Sequence, residues 1–206
     1  MASLFPIFVK LEGRLVVVVG GGKIAEGKLA ALLNAGARIR LIAPSITSQI
    51  AEWVRFGKID WLPKEFSRGD LRDGFLVIAA TSAPGVNESV FREAESARVL
   101  CNAVDDIEHC HFYYGAVVQR GDLQIAISTN GKSPALAQRL RQELETQFGA
   151  EYETWLQWLG AAREALRAAN FDAEATKDVL HDLASRLMFE EFLQETRGDS
   201  EKRGVA

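Results

Sequence analysis

Residues 15–25 read LVVVVGGGKIA, a run of five apolar residues followed by three glycines and the start of a helical pattern. The segment has the G-x-G-x-x-A form of a dinucleotide-binding turn between a strand and a helix. In this interpretation Gly20 permits the tight turn, Gly22 lets the backbone approach a pyrophosphate, and Ala25 lets the helix pack closely on the strand. The helix N-terminus then offers unpaired N–H groups to phosphate. A glycine-rich turn that binds no nucleotide is the alternative.

Short apolar runs alternate with helical patterns from residue 13 to about 112. Such alternation predicts an α/β fold with a parallel, doubly wound sheet of the Rossmann type, whose ligands bind beyond the carboxyl ends of the strands. Gly20, Ala43-Pro44, Thr81 and residues 102–105 follow predicted strands and are expected to meet at one crevice. The predicted strands are 15–19, 38–43, 59–62, 75–80 and 98–102, and the predicted helices are 23–34, 45–56 and 86–96.

The pattern changes after residue 112, where two short strands joined by a tight turn precede helical stretches. Ser133 followed by Pro134 is typical of a helix start, with serine as the cap and proline in the first turn. The predicted strands are 113–119 and 123–128, the predicted helices are 134–147, 151–169 and 172–194, and the polar tail 197–206 is expected to fray.

These patterns predict three parts: a nucleotide-binding Rossmann domain (1–112), a small α/β segment (113–148) and a helical C-terminal region (149–206). The composition of the 206-residue chain is that of an ordinary globular protein, with 48% hydrophobic and 25% charged residues. The net charge of −4 gives no electrostatic reason to expect binding to nucleic acid or to a membrane surface.

No signal peptide is expected from the N-terminal residues. Residues 1–6 lack the basic stretch and apolar core of a signal peptide, and no apolar run reaches the ~20 residues that a membrane span needs. Two cysteines do not make a disulfide framework. A reducing, cytoplasmic setting is therefore expected.

Asp105 is the sharpest catalytic candidate. It lies in NAVDD, residues 102–106, just past the fifth predicted strand, at the edge of the sheet where a nicotinamide would lie. A carboxylate there could accept a proton during hydride transfer or ligate a metal ion. An aspartate that only caps a loop is the alternative.

A second candidate anion site is STNGKSP, residues 128–134, at the start of a predicted helix. Small hydroxyl side chains, a glycine, a lysine and a helix N-terminus suit a carboxylate or phosphate group. The candidate substrate-binding residues are Ser128, Thr129, Gly131, Lys132 and Ser133. A capped helix start with a solvated basic face is the alternative.

Cys101, His109, Cys110 and His111 invite a metal-site interpretation. The adjacent residues 109–111 cannot easily converge on one tetrahedral ion, so we predict no metal site, a buried Cys101 and two loop histidines. Residues 42–45, after the second predicted strand, read IAPS, without the acid that commonly binds the ribose 2′-OH of NAD. An arginine cluster for the 2′-phosphate of NADP is not evident there either.

Six segments occur in the order of one known family: FPIF (5–8), VGGGKIA (19–25) with Lys28, IAP (42–44), VIAAT (77–81), NAVD (102–105) and ISTNGKSP (127–134). Together they resemble the precorrin-2 dehydrogenase / sirohydrochlorin ferrochelatase family of siroheme synthesis. The resemblance covers residues 5 to about 145, and the helical remainder is similar in length and character only. Two residues depart from the family pattern: Asn130 where glycine is usual and Gly115 where proline is frequent.

The resemblance implies a concrete activity and site. Members of that family oxidise precorrin-2 to sirohydrochlorin with NAD as the hydride acceptor, and some also insert Fe(II) to give siroheme. It implies a homodimer, with residues 113–148 as the dimerisation and substrate segment. Asp105 matches the aspartate of the family's N-x-V-D motif, the catalytic residue implied for both steps. The implied NAD-binding residues are Gly20, Gly22, Lys23, Ile24, Pro44, Ser45 and Thr81.

Two other functions remain open at this point. A non-catalytic NAD-binding redox sensor would use the same glycine turn without needing Asp105 or the 128–134 loop. A chelatase with a vestigial nucleotide site would need Asp105 but not NAD. Precorrin-2 carries eight carboxylates, which agrees with an anion site near Lys132.

Overall fold

The computed structural model describes residues 4–203, with side chains as far as Thr196. The chain forms two compact units, residues 4–114 and residues 115–203. The three-part division with boundaries at 112 and 148 stays a prediction. The predicted α/β class with a Rossmann-type sheet and a helical C-terminal region is confirmed.

A five-stranded parallel sheet forms the centre of the unit 4–114, in the order β3-β2-β1-β4-β5. The strand β1 is the central one and pairs in parallel with β2 and β4. Its four valines, 16–19, are buried because helices cover both faces of the sheet. The bounds are β1 Leu15–Val19, α1 Lys23–Asn34, β2 Arg38–Ile42, α2 Ser48–Arg55, β3 Asp60–Leu62, β4 Leu76–Ala79, α3 Pro84–Ala97 and β5 Leu100–Ala103.

The alternating side chains of β1 divide the core into two layers. Val16 and Val18 belong to one cluster with Leu29 of α1 and Ile50 of α2. Val17 and Val19 belong to the other cluster, which includes Val90 and Ala94 of α3. The strand order places β1 and β4 at the point where the connections reverse, and open α/β sheets bind their ligands at that point.

Several element boundaries differ from the predictions for identifiable reasons. The helix α2 begins at Ser48 and not at 45, because the Thr47 hydroxyl accepts the backbone N–H of Ile50 and caps the helix. The helix α3 begins at Pro84 and continues to Ala97. Arg98 then takes a left-handed conformation (φ 56°), so the strand predicted from 98 begins only at Leu100.

The unit 115–203 combines a β-hairpin with helices. The strands β6 and β7 pair antiparallel around the predicted tight turn, with Gln119 opposite Gln124. The first strand is shorter than the predicted 113–119 and is shifted toward the turn. The bounds are β6 Ala116–Arg120, β7 Leu123–Ile127, α4 Pro134–Gln147, α5 Glu151–Ala168, α6 Ala173–Leu183 and α7 Arg186–Arg203.

The prediction of one helix over 172–194 is wrong. The chain forms two helices: α6 ends at Leu183, and α7 begins at Arg186 after Ser185. The Ser185 hydroxyl accepts the backbone N–H of Met188, and its carbonyl accepts the N–H of Phe189. The tail predicted to fray from 197 is helical to Arg203, while residues 204–206 and 1–3 lie outside the described part of the chain.

Candidate dinucleotide site

The glycine turn after β1 is a site of very close backbone contacts. Gly20 has φ 114°, and a Cβ at this position would lie 2.3 Å from the carbonyl oxygen of Ala80. Its N–H donates to the carbonyl of Ile42 at 2.9 Å. The turn therefore requires glycine twice over, for its backbone conformation and for its approach to the neighbouring strand end.

Gly22 differs from Gly20 in its surroundings. It is the cap residue of α1 with φ −85°, and a Cβ there would meet no protein atom within 4 Å. No packing within the described protein therefore requires glycine at position 22. This agrees with the expectation that Gly22 keeps the turn open for a ligand to approach the backbone.

Gly21 is a requirement that the sequence motif did not reveal. The fingerprint treats this position as variable, yet a Cβ at Gly21 would lie 2.1 Å from the carbonyl oxygen of Ser45 and 3.0 Å from the Cβ of Ala43. The carbonyl of Gly21 also accepts the N–H of Thr47 at 3.1 Å. The run of three consecutive glycines was the signal that could have indicated this second close contact.

The loop after β2 is tied to the glycine turn by a polar cluster. Thr47 Oγ1 donates to Glu26 Oε2 at 2.6 Å, and Lys23 Nζ lies 2.9 Å from Glu26 Oε1. The Thr47 hydroxyl and then the Lys23 ammonium lower the pKa of Glu26. On the other side, the indole N–H of Trp61 donates to the carbonyl of Ala43 at 2.9 Å. These contacts fix the loop that contains Pro44 and Ser45.

The glycine turn and three further loops surround one cleft of about 820 Å³. This size suits a small-molecule cofactor. The seven residues predicted to bind the nucleotide line this cleft together, and their binding roles stay predictions: Gly20, Gly22, Lys23, Ile24, Pro44, Ser45 and Thr81. Other lining residues were not predicted, among them Ile46, Glu65, Phe66, Ser82 and Val86.

Thr81 has a structural part in this cleft. Its hydroxyl donates to Asn87 Oδ1 at 2.8 Å, and the Asn87 amide donates to the carbonyl of Thr81 at 3.2 Å. The N–H of Thr81 completes the arrangement by donating to the same Asn87 oxygen at 3.3 Å. Asn87 is 5% exposed, and this buried amide was missed because it follows the VIAAT segment by six residues and belongs to no motif itself.

Asp105 occupies a tight turn at the carboxyl end of β5. The N–H of Asp106 donates to the carbonyl of Ala103 at 3.2 Å, and Asp105 takes φ 62° within that turn. Left-handed backbone is uncommon for residues other than glycine, asparagine and aspartate. The carboxylate is exposed at the predicted edge of the sheet. Its position therefore agrees with the sequence analysis, and its chemical role stays a prediction.

Asn102 ties the following segment back to β5. Its buried amide donates to the carbonyl of Phe112 at 2.9 Å, and residue 102 forms an antiparallel bridge with Cys110. The N–H of Cys101 donates to His111 Nδ1 at 3.0 Å. His109 Nδ1 contacts Asp106 at 2.6 Å. Within the described residues, no group of three or more His, Cys, Asp or Glu side chains could hold a metal ion.

The 128–134 loop lies in the unit 115–203 and is organised by its own hydroxyl groups. The side chains of Ser128, Thr129 and Ser133 accept the backbone N–H groups of Asn130, Ser133 and Leu136, each at 3.2 Å. In each of these contacts the hydroxyl oxygen is the acceptor, and the three contacts fix the shape of the loop before α4.

Consecutive left-handed residues form the tip of this loop. Asn130 and Gly131 have φ 53° and 73°. Asparagine tolerates this conformation better than most residues, which explains how Asn130 can replace the glycine that is usual in the family. Lys132 is exposed beside them.

A second cleft of about 800 Å³ lies between α5 and α6 in the same unit. Its lining contains the basic residues Arg163, Arg167, Lys177 and His181, together with the ring of Phe171. No Asp or Glu is among the described residues that line it. The cleft is therefore suited to an anion with an apolar body.

Residues 7–116 match the NAD_binding_7 family, which is described as NAD(P)-binding and here covers more than half of the chain. The chain belongs to this NAD(P)-binding family. Residues 120–147 match a second family model, that of the central part of sirohaem biosynthesis proteins. The match to the first family covers the glycine turn, the cleft and Asp105.

Relatives of this NAD(P)-binding chain carry one name. A siroheme synthase of Neisseria meningitidis serogroup C (strain 053442) is 39% identical over 166 residues, which cover 81% of this chain and 35% of that protein. A siroheme synthase of Xylella fastidiosa (strain M12) is 41% identical over 176 residues, which cover 85% and 37%. The chain thus spans about a third of the length of these relatives.

The chain is also similar to a solved structure, and the similarity covers nearly all of both chains. SirC, a precorrin-2 dehydrogenase, is superposed with a TM-score of 0.78 and 28% sequence identity, covering 95% of this chain and 100% of that chain. The family resemblance that the sequence motifs indicated is confirmed. Among the described residues, no helix has the length and apolar character needed to cross a membrane.

Proposed function

We propose that this chain is an NAD-dependent precorrin-2 dehydrogenase, which converts precorrin-2 and NAD⁺ to sirohydrochlorin, NADH and a proton. The observation that carries the proposal is the similarity to SirC, which includes every residue of that precorrin-2 dehydrogenase chain. The dinucleotide cleft at the switch point of the sheet and Asp105 at the same edge support it.

The site residues have two tasks in the reaction: one group holds the cofactor that accepts the hydride, and Asp105 accepts the proton. NAD, when bound, supplies the acceptor for the hydride that leaves a carbon of the tetrapyrrole. Gly22 would admit the pyrophosphate to the helix N-terminus at the turn that Gly20 makes, and Lys23, Ile24, Pro44, Ser45 and Thr81 of the same cleft would hold the cofactor. Asp105 accepts the proton that leaves the substrate, so the hydride and the proton that precorrin-2 loses are both accounted for.

The charges around the cleft favour NAD over NADP. Glu65 is the acid among the described lining residues, and the lysine beside it, Lys64, is held by Asp70 at 2.6 Å. Lys23 also lines the cleft, but Glu26 contacts its ammonium. The 2′-phosphate of NADP is negatively charged. It would be repelled by the carboxylate of Glu65, and both nearby lysines are already paired with acids, so NADP should bind more weakly than NAD.

We predict that Glu65→Gln narrows the preference for NAD over NADP. The ratio of the two dissociation constants should fall by up to about fivefold, because an exposed charge interaction is worth up to ~1 kcal/mol. Calorimetric titration with each cofactor measures it. Glu52→Gln, which removes an exposed acid outside the cleft, is the matched control and should leave the ratio unchanged. An unchanged ratio in Glu65→Gln would show that residues other than Glu65 set the preference for NAD over NADP.

The loop of residues 128–134 is the candidate binding site for the carboxylates of the substrate. We propose that Ser128, Thr129, Gly131, Lys132 and Ser133 bind carboxylates of precorrin-2. The three hydroxyl groups of the loop, the exposed Lys132 and the α4 N-terminus support this proposal. The basic cleft between α5 and α6 is a further place suited to an anion of this class.

We propose a homodimer in a cytoplasmic, reducing environment. The hairpin β6–β7 supports the dimer, because a two-stranded sheet leaves strand edges unpaired and Val117 is 44% exposed on it. The two cysteines, neither of which forms a disulfide, support a reducing environment. Light scattering after size exclusion tests the dimer, and a monomeric mass at assay concentration would exclude it.

Anaerobic incubation with precorrin-2 and NAD tests the function. Sirohydrochlorin absorbance and an equal amount of NADH are expected to appear together. A folded protein that binds NAD without turnover contradicts the proposal and favours the redox sensor. Fe(II) added afterwards tests iron insertion, and metal insertion by a protein that neither binds nor reduces NAD would select the chelatase.

A further inference from the structure

The thiol of Cys110 contacts the backbone of the turn that carries Asp105. Its Sγ lies 3.1 Å from the carbonyl oxygen of Ala103 and 3.1 Å from the carbonyl oxygen of Asp106, which are the first and last residues of the turn. A thiol has one proton to donate, so the two carbonyl groups share it. Burial raises the pKa of the Cys110 thiol, and the thiol therefore keeps this proton at physiological pH.

The position of Cys110 is fixed by contacts with β5. Residue 110 forms an antiparallel bridge with Asn102, and the Asn102 side-chain amide donates to Cys110 Sγ at 3.4 Å. The next residue, His111, donates its N–H to the carbonyl of Cys101 at 2.8 Å. The His111 ring also stacks on Phe91 of α3, with 4.9 Å between the ring centroids. The segment after the turn therefore holds the sulfur in one place relative to the strand from which the turn departs.

The turn itself contains a strained residue that needs such support. Asp105 has φ 62°, a left-handed conformation that persists only where the surrounding structure restrains it. Before Asp105, the N–H of Val104 donates to the carbonyl of Ala79 at 2.9 Å and fixes the chain to β4. After Asp105, the N–H of Asp106 closes the turn on the carbonyl of Ala103 at 3.2 Å. The Cys110 thiol connects the same two residues a second time.

We propose that Cys110 is a positioning residue for Asp105, and that its thiol, shared between the carbonyl groups of Ala103 and Asp106, holds the turn in the shape that presents the carboxylate to the substrate proton. The inference rests on the proposed dehydrogenase function. It gives a role to a cysteine that forms no disulfide. The thiol contacts the backbone of Asp106 and not its carboxylate, so the role does not require an acid at position 106.

Turnover measurements on two Cys110 variants test the inference. Cys110→Val suits the extended backbone (φ −128°) but removes the donor, and should lower kcat about tenfold because small displacements of a reacting group are costly. The KM for precorrin-2 and the dissociation constant for NAD should stay within about twofold. Cys110→Ser supplies a donor again and should keep at least about half of the wild-type kcat. A kcat of Cys110→Val within twofold of wild type overturns the inference, as does an equal loss in Cys110→Ser.

Cys101→Ala is the matched control, because it changes the neighbouring cysteine, whose buried side chain belongs to the core cluster against which Cys110 packs. It leaves a small cavity and should lower Tm by about 2–4 °C, while kcat stays within about twofold of wild type. Cys110→Val should lower Tm by no more than this. An equal fall of kcat in Cys101→Ala would attribute the effect to lost stability and would overturn the positioning role.

Amide hydrogen exchange tests the contact without turnover. The Asp106 N–H that closes the turn should exchange at least about tenfold faster in Cys110→Val than in wild type, and close to the wild-type rate in Cys110→Ser and Cys101→Ala. An inactive wild-type protein with these exchange rates would contradict the dehydrogenase alone. An unchanged exchange rate of Asp106 in Cys110→Val would contradict the support of the turn by Cys110, whatever the activity.

Discussion

Asp105→Asn is expected to lower precorrin-2 turnover by about 10²–10⁴-fold, the usual contribution of a positioned acid or base. The amide cannot accept the substrate proton, while every neighbouring contact can persist. Asp105 lies outside the group of residues that line the dinucleotide cleft, so the dissociation constant for NAD should stay within about twofold. Single-turnover kinetics with pre-bound NAD measure the chemical step directly, and calorimetry measures the cofactor.

Asparagine is the informative substitution because Asp105 has φ 62°. Asparagine tolerates left-handed backbone, whereas alanine adds ~1 kcal/mol of strain and confuses a chemical loss with a structural one. Asp106→Asn is the matched control: it removes the next carboxylate, which contacts His109, and should keep most of the turnover. Wild-type rates in Asp105→Asn would remove Asp105 from the mechanism. Equal losses in both variants would indicate general disturbance of the turn.

The sequence was sufficient for the parts of this molecule that depend on local pattern. The strand β1 and the helix α1 have the predicted bounds, because a buried apolar run, a glycine turn and an amphipathic helix each have a periodicity of their own. The serine cap of α4 was also predictable and is confirmed by the contact between Ser133 and the N–H of Leu136. The same reasoning failed at Ser185. Because the helical pattern continues through this serine, one helix was predicted over 172–194, whereas the serine precedes a second helix.

Tertiary contacts are what the sequence could not supply. The contact between the Lys28 ammonium and the Tyr114 ring joins residues far apart in the chain, and no spacing rule connects them. The support of Thr81 by Asn87 joins residues only six apart, but they lie in a loop and in the helix after it, and no spacing rule connects these two either. Gly21 lies between these two cases. The sequence shows that residue 21 is glycine, but only the structure shows that the carbonyl of Ser45 leaves no room for a side chain there. Motifs therefore located the candidate site, and packing determined which of its residues are structural.

Alanine substitutions at Gly20 and Gly22 are expected to affect different properties: the first should lower stability, and the second should weaken NAD binding. Gly20→Ala should lower the free energy of unfolding by about 2–4 kcal/mol, because a Cβ would lie 2.3 Å from a backbone oxygen and φ is 114°. Gly22→Ala should cost no more than about 1 kcal/mol, the loss of a tolerated helix cap. It should nevertheless weaken NAD binding at least about tenfold, because the added methyl group stands where the pyrophosphate approaches the backbone.

Chemical denaturation and NAD calorimetry on both variants separate folding from binding. Gly27→Ala is the matched control, since it lies on the same helix with open space around it and should be neutral or stabilising by up to ~1 kcal/mol. A Gly22→Ala protein with both stability and NAD affinity like wild type would show that the cofactor does not approach this turn. The phosphate-binding interpretation of the GGG run would then be lost, even though the sheet that depends on Gly20 and Gly21 would remain intact.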